Sequence, residues 1–130
     1  MATSLSQWPH DCALPLQGSA RSVTCGSAVT VALGLDDKGR IAKVGIRTQA
    51  CAIGQASAAL FAQAVVGCNA DSIGAALMSM NRWLKEGGNM PDWPGLATIA
   101  AARDYPARHG AILLAWEAAL DALSTATKPG

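Results

Sequence analysis

The stretch AVTVALGLDDKGRIAKVGIRT, residues 28–48, decides the fold of this chain. Apolar residues alternate with small or polar ones over residues 28–35 and again over residues 40–48. A period of two is typical of strands with one buried face. Between them, Gly39 can take the positive φ angle that closes a short antiparallel connection. We therefore predict a β-hairpin, with a third strand near residues 21–24 because a lone hairpin is only marginally stable.

Helical periodicity dominates the rest of the chain. Apolar residues recur at helical spacing over residues 51–67, and a second helix, capped by Asp71, is expected to end at Gly87. After a proline-containing loop, the alanine-rich residues 96–102 predict a short helix. Pro106 is then expected to open the last helix, because proline is favoured at the first helical position.

The order of these elements, strands first and helices afterwards, indicates an α+β fold. We expect a small antiparallel sheet of about three strands in the N-terminal part, with the helices of the C-terminal half packed on one face. A chain of 130 residues is long enough to bury one core. We therefore predict a single domain over residues 21–124, preceded by an irregular arm at residues 1–20 and followed by a frayed tail at residues 125–130.

Composition and charge narrow the class of protein. The formal net charge is +1, with acidic and basic residues spread along both halves of the chain, so we expect no binding to nucleic acid or to anionic lipid. No apolar run approaches the roughly 20 residues that a membrane span requires. Residues 1–7 lack the basic and apolar regions of a secretion signal, which predicts a cytoplasmic protein whose four cysteines are thiols.

Three side chains stand where predicted strands end or predicted helices begin. Cys25 precedes the first strand of the hairpin, and Cys51 lies at the junction of the second strand with the first helix. At a helix start, free backbone N–H groups and the helix dipole favour a thiolate. His109 falls in the first turn of the last helix, where the same dipole favours a neutral ring that can bind a metal ion. We expect these three donors to converge, although a buried cysteine is about equally often a small hydrophobic residue.

The other two cysteines are interpreted differently. If residues 52–67 are helical, a rise of ~1.5 Å per residue puts Cys68 about 25 Å from Cys51, too far to share a site. Cys68 is therefore interpreted as an ordinary thiol at a helix end. Cys12 lies on the arm, and the sequence leaves open whether that arm approaches the other cysteines.

Three short segments resemble, in order and spacing, the motifs of the U-type (NifU-like, IscU-like) scaffolds on which iron–sulfur clusters are assembled. They are Cys25-Gly26-Ser27, Ala50-Cys51-Ala52-Ile53 and Pro106-Ala107-Arg108-His109-Gly110. The turn at residues 37–41 resembles the hairpin turn of that family, and His10, Pro15 and Gly18 resemble its N-terminal arm. The resemblance covers nearly the whole chain.

This resemblance implies a protein that turns over no substrate. It would hold iron or a labile iron–sulfur cluster through Cys25 and Cys51, with His109 as a third candidate ligand. A cysteine desulfurase would supply the sulfur, and apo-proteins would receive the cluster. Two residues of the family pattern are replaced, the aspartate of its Cys-Gly-Asp by Ser27 and its third ligand cysteine by Gly110. Since [2Fe–2S] clusters and tetrahedral zinc sites generally take four protein donors, one donor is missing.

The incomplete ligand set leaves three functions open. In the first, the chain is a scaffold with a weak or shared cluster, whose missing donor comes from Cys12, from a partner or second subunit, or from a small thiol. In the second, it is an interaction module that kept the scaffold fold without the metal and docks on a cysteine desulfurase. In the third, it binds zinc or accepts sulfur as a persulfide on Cys51. The sequence also leaves the oligomeric state open.

Overall fold

A computed structural model describes residues 14–22, 26–49, 52–91, 93, 95–104 and 109–127 of the chain. Three strands come first and three α-helices follow, with a 3₁₀ helix before the last of them. The elements are β1 (Leu16–Ser22), β2 (Ser27–Leu35), β3 (Ile41–Gln49), α1 (Ala52–Val65), α2 (Ala70–Glu86), the 3₁₀ helix (Leu96–Asp104) and α3 (His109–Thr127). The predicted α+β fold is confirmed.

The sheet contains the predicted hairpin. Its strand order is β1-β2-β3, and both neighbouring pairs are antiparallel. The β2–β3 turn is closed by the Asp36 carboxylate, which accepts hydrogen bonds from the backbone N–H groups of Lys38 (2.9 Å) and Arg40 (3.0 Å). Gly39 has a φ of +79°, the left-handed conformation that the sequence predicted for it.

The third strand lies earlier in the chain than the sequence indicated. It spans Leu16–Ser22 rather than the predicted residues 21–24, so the prediction of irregular chain was wrong for residues 16–20. Gly18 belongs to the predicted irregular arm. Gly18 instead lies within β1, where an added Cβ would collide with the backbone of Ala118 and Ala122 in α3. The residue is small because a helix packs directly on the strand.

Of the two boundaries of α2, the first differs from expectation and the second agrees with it. The N-cap of α2 is Asn69 and not Asp71: the Asn69 side chain accepts a hydrogen bond from the Ser72 N–H at 2.9 Å. Asp71 lies in the first turn, where its charge is favourable to the helix dipole. The helix ends at Gly87 with a φ of 72°, as predicted.

The last two helical segments end later in the chain than the sequence indicated. The predicted short helix over residues 96–102 is a 3₁₀ helix from Leu96 to Asp104. Helix α3 continues to Thr127, so the first three residues of the predicted frayed tail are helical. The predicted start of the first helix at Cys51 and the role of Pro106 fall outside the described residues.

The core lies between one face of the sheet and the helices. Helix α3 forms the centre of the core, since it packs on β1, β2, α1 and α2. Its residues Ile112 and Trp116 are fully buried. The rings of Phe61 and Trp93 stack, and both meet the Trp116 ring edge to face, at centroid distances of 5.4 and 5.2 Å. The Trp93 indole also donates to the Leu60 carbonyl at 2.8 Å. None of the helices in the described ranges combines the length and hydropathy needed to cross a bilayer.

Backbone hydrogen bonds join the beginning of β3 to the residues that follow the end of α1. The Ile41 N–H donates to the Cys68 carbonyl at 2.8 Å, and the Gly67 N–H donates to the Ile41 carbonyl at 2.7 Å. Gly67 has a φ of +94°, which lets the chain turn back at the end of the helix. The beginning of β3 and the end of α1 are thereby fixed to each other.

Candidate functional site

One end of the sheet gathers the residues that flank the candidate ligands. Ser22, the last residue of β1, pairs with Ser27, the first residue of β2. Gln49, the last residue of β3, pairs with Ala28 on the neighbouring strand. Since paired strands lie about 4.8 Å apart, the β1–β2 connection and the β3–α1 junction leave the sheet at the same end. We call this end the site end.

A backbone hydrogen bond holds the β1–β2 connection together on its described side. The Gly26 N–H donates to the Ser22 carbonyl at 2.9 Å, and Gly26 has a φ of +70°. Residues other than glycine adopt this conformation at a cost, so the sequence Cys25-Gly26 suits the tight return of the chain into β2. Cys25 itself lies outside the described residues, as does Cys51 after the end of β3.

The first turn of α3 lies against the end of β1. A Cβ added at Gly110 would stand 2.7 Å from the Ser22 Oγ and 3.3 Å from the Ser22 Cβ. His109, the first residue of α3, is buried and has contacts within the fold. The structure therefore brings His109 to the site end, together with the residues that flank Cys25 and Cys51.

Serine side chains line the interior near this end. Ser22 and Ser27 are both buried. Ser57 is fully buried in α1, and its hydroxyl donates to the Ile112 carbonyl at 2.7 Å, which fixes α1 against α3. Sequence reasoning missed Ser22 and Ser57, because a serine in a strand or helix has no pattern that distinguishes a buried hydroxyl from an exposed one.

The donor set of the described residues is incomplete. Within the part of the chain that the structure describes, no three His, Cys, Asp or Glu side chains stand close enough to hold a metal ion. Two of the three predicted ligands lie outside that part. Gly110 contributes no side chain, and the Ser22 hydroxyl fills the space into which a side chain at this position would extend.

Cys68 stands apart from the site end. Its carbonyl accepts from Ile41 at the beginning of β3, whereas the site end follows Gln49 at the other end of the same strand. The thiol is half-buried and donates to the Ala64 carbonyl, with Sγ 3.6 Å from the oxygen. Burial raises the pKa of the Cys68 thiol above its ordinary value of 9.0, so the neutral form is favoured.

The fold and sequence are similar to those of known iron–sulfur scaffolds. Residues 9–123 match the family described as the NifU-like N terminal domain. The chain is 24% identical over 111 residues to the iron–sulfur cluster assembly scaffold protein IscU of Thermotoga maritima, covering 84% of this chain and 77% of that protein. The crystal structure of the N-terminal part of a nitrogen-fixing NifU-like protein from Brucella abortus superposes with a TM-score of 0.80 at 35% identity, covering 88% of this chain and 80% of that one.

A third likeness shows the fold alone. A scaffold protein assigned to the SUF system of Fervidobacterium islandicum superposes with a TM-score of 0.76 at 21% identity, covering 91% of this chain and 88% of that one. The three antiparallel strands followed by helices are thus the architecture of U-type scaffolds. The chain belongs to the NifU-like N-terminal domain family of iron–sulfur cluster assembly scaffolds.

Proposed function

We propose that this protein holds iron or a labile iron–sulfur cluster through Cys25, Cys51 and His109 and passes it to apo-proteins. The observation that carries the proposal is the meeting of β1, β2, β3 and α3 at the site end, with Gly110 packed on Ser22. The chain segments next to all three candidate ligands are held there by strand pairing and helix packing. This arrangement supports a common site for the three donors.

Each candidate ligand has a chemical reason for its role. Thiolates are the usual ligands of iron–sulfur clusters, and Cys51 immediately precedes α1, where helix N–H groups favour a thiolate. His109 is the first residue of α3 and is buried at the site end, and the imidazole nitrogen is a common metal ligand. The cluster is cargo in this proposal, and the protein catalyses no reaction on it.

The missing donor is consistent with a cargo that is easily released. Position 110 offers no ligand, so the protein supplies three donors where a cluster takes four. The fourth would come from Cys12, from a thiol of a partner or second subunit, or from a small thiol. Exchange of that donor for a ligand of an apo-protein would begin the transfer.

The relatives suggest the partners and the place of action. The Thermotoga protein is named as an assembly scaffold, a role that requires a source of sulfur and recipient proteins. We propose that a cysteine desulfurase supplies sulfur to this chain and that apo iron–sulfur proteins receive the cluster. Both steps use reduced thiols, which fits the cytoplasmic location expected from the sequence.

Anaerobic reconstitution with iron and sulfide tests the proposal. The wild-type protein should develop charge-transfer absorbance, and Cys51→Ser and Cys25→Ser should each lose most of it. Cys68→Ser is the matched control, because it removes a thiol at the opposite end of β3 and should leave the absorbance unchanged. If Cys51→Ser binds as much iron as the wild type, the proposed site is wrong.

The contact between Gly110 and Ser22 also favours a second candidate, a metal-free interaction module. The Ser22 hydroxyl occupies the space that a ligand side chain at position 110 would need. A scaffold that no longer binds metal could keep such a contact, because it has no use for a ligand there. This protein would bind a cysteine desulfurase through the fold alone. Desulfurase binding that survives the double change Cys25→Ser and Cys51→Ser, with no metal in protein purified without air, would favour this candidate over the first.

A further inference from the structure

The charged side chains of the three strands are all basic. The only charged side chains within the three strands are Arg21 in β1 and Lys43 and Arg47 in β3. Helix α2, by contrast, carries acidic and basic residues together. Because the formal net charge of the whole chain is only +1, this arrangement separates charge between the sheet and the rest of the molecule.

All three cations lie on the face of the sheet that points away from the helices. Alternate residues of β2, such as Val29 and Val31, are buried against the core, so their neighbours in the strand point outward. Across the strands, Arg21 pairs with outward-facing Ala28, Arg47 with Thr30, and Lys43 with Gly34. All three cations are exposed. We call these outward residues of β1, β2 and β3 the basic sheet face.

The basic sheet face is concave near the site end. A cavity of about 580 Å³ opens there, lined on the outward side by Ser19, Arg21, Ala28, Thr30, Arg47 and Gln49. The hydroxyls of Ser19 and Thr30 lie 3.2 Å apart between the two arginines. Asp121 approaches this region at the edge of β1, where its carboxylate accepts from the Ser19 N–H at 3.0 Å.

The two arginines suit a partner with spaced carboxylates. They lie two strands and two residues apart, so their Cα atoms are roughly 12 Å from each other. Arginine binds carboxylates with two parallel hydrogen bonds, and the small residue Ala28 between the strands lets another surface approach closely. Arg21 and Gln49 belong to the last row of the sheet before the connections that contain Cys25 and Cys51.

We propose that the basic sheet face is a docking surface for an acidic surface of a protein partner. The inference deepens the proposed function and rests on it for the role of that partner, which would supply sulfur or receive the cluster beside the site end. Among the described residues, this face offers three cations and no aromatic ring, which provides little for nucleic acid, because nucleic acid binds through many phosphates and stacked bases. A membrane surface would also require large apolar side chains that insert, and the described residues of this face are arginine, lysine, glutamine and small residues such as Ala28 and Thr30.

The first experiment measures binding of a fluorescein-labelled peptide of alternating glutamate and alanine to the metal-free protein, by anisotropy and by ¹⁵N amide shifts. Saturable shifts should be confined to residues 19–21, 28–30 and 47–49. Arg21→Glu with Arg47→Glu should weaken binding by roughly tenfold or more. The matched control, Lys38→Glu with Arg40→Glu, makes the same charge change at two exposed residues of the β2–β3 turn and should bind like the wild type.

Salt dependence, other anionic ligands and iron uptake test the docking surface further. Binding should disappear in 1 M NaCl, where the Debye length is about 3 Å. The proposal is overturned if the peptide does not bind, if both double variants weaken binding equally, or if oligo-dT or phosphatidylserine vesicles bind as tightly as the peptide. Cys51→Ser should bind the peptide normally, and Arg21→Glu with Arg47→Glu should still take up iron and sulfide. Failure of the docking surface is therefore distinguishable from failure of the metal site.

Discussion

Replacement of Gly110 by alanine tests the contact that closes the third ligand position. In an exposed helix interior, glycine to alanine usually stabilises a protein by up to ~1 kcal/mol. Here the new methyl carbon would stand 2.7 Å from the Ser22 Oγ and 3.3 Å from the Ser22 Cβ, so the Ser22 hydroxyl has to leave its present contacts and the strand and the helix have to shift by a few tenths of an ångström. Overpacking of this kind costs about 1–3 kcal/mol, and the helix-propensity gain is reduced in the first turn. We expect a net loss of about 1–2 kcal/mol in the free energy of unfolding.

A double-mutant cycle isolates the Ser22–Gly110 contact. Ser22→Ala removes the hydroxyl and leaves the Cβ 3.3 Å from the added methyl, a distance that a shift of a few tenths of an ångström relieves. The double variant should therefore be more stable than the sum of the single changes predicts, by about 1 kcal/mol or more. Urea unfolding followed by tryptophan fluorescence measures all four proteins. Gly110→Ala as stable as the wild type, or additive changes, would refute the reasoning.

Three further predictions concern the helix contact, the third ligand and pH. Gly18→Ala should lower the free energy of unfolding by about 3 kcal/mol or more, because the new methyl collides with the backbone of α3, and urea unfolding that shows no loss would contradict it. Gly110→Cys in a Ser22→Ala background should hold reconstituted iron longer against a chelator than Ser22→Ala alone, whereas equal release rates would show that position 110 does not reach the site. Burial in the folded protein raises the pKa of the Cys68 thiol. The contribution of this thiol to the free energy of unfolding is therefore complete below the pKa of the unfolded state and is lost as pH rises through the pKa of the folded state. Unfolding at increasing pH should thus show a steeper loss of stability above pH 9.0 in the wild type than in Cys68→Ser, and parallel profiles would contradict this.

Local patterns predicted the elements whose causes are local. The β2–β3 hairpin follows from the period of two and from Gly39, and the end of α2 follows from Gly87, because both depend on neighbours in the chain. The N-cap of α2 was predicted wrongly, since Asn69 and Asp71 are both good N-cap residues and the choice depends on where Ile73 meets the core. Strand β1 was misplaced because the reason for Gly18 is its contact with α3, which no local pattern reveals.

The candidate site divides in the same way. The position of His109 at the start of the last helix follows from the sequence, and the structure places it at the site end. The joint role of Cys25 and Cys51 remains a prediction, because both lie outside the described residues. The closure of position 110 by Ser22 could not be foreseen, since it depends on how closely α3 approaches the end of β1.

The hydrogen bonds between Ile41 and the end of α1 have a consequence for the evolution of helix length. The nine residues of β3 span about 30 Å and the fourteen residues of α1 span about 21 Å. The two elements therefore differ in length although the beginning of β3 is fixed to the end of α1. Because the end of α1 is fixed, deletion of one residue from α1 would rotate the first residues of the helix by about 100° about its axis and shift them by about 1.5 Å along it. Variants of this chain should consequently tolerate insertions between α2 and the 3₁₀ helix far better than insertions in β3 or α1, because the lengths of β3 and α1 have to match.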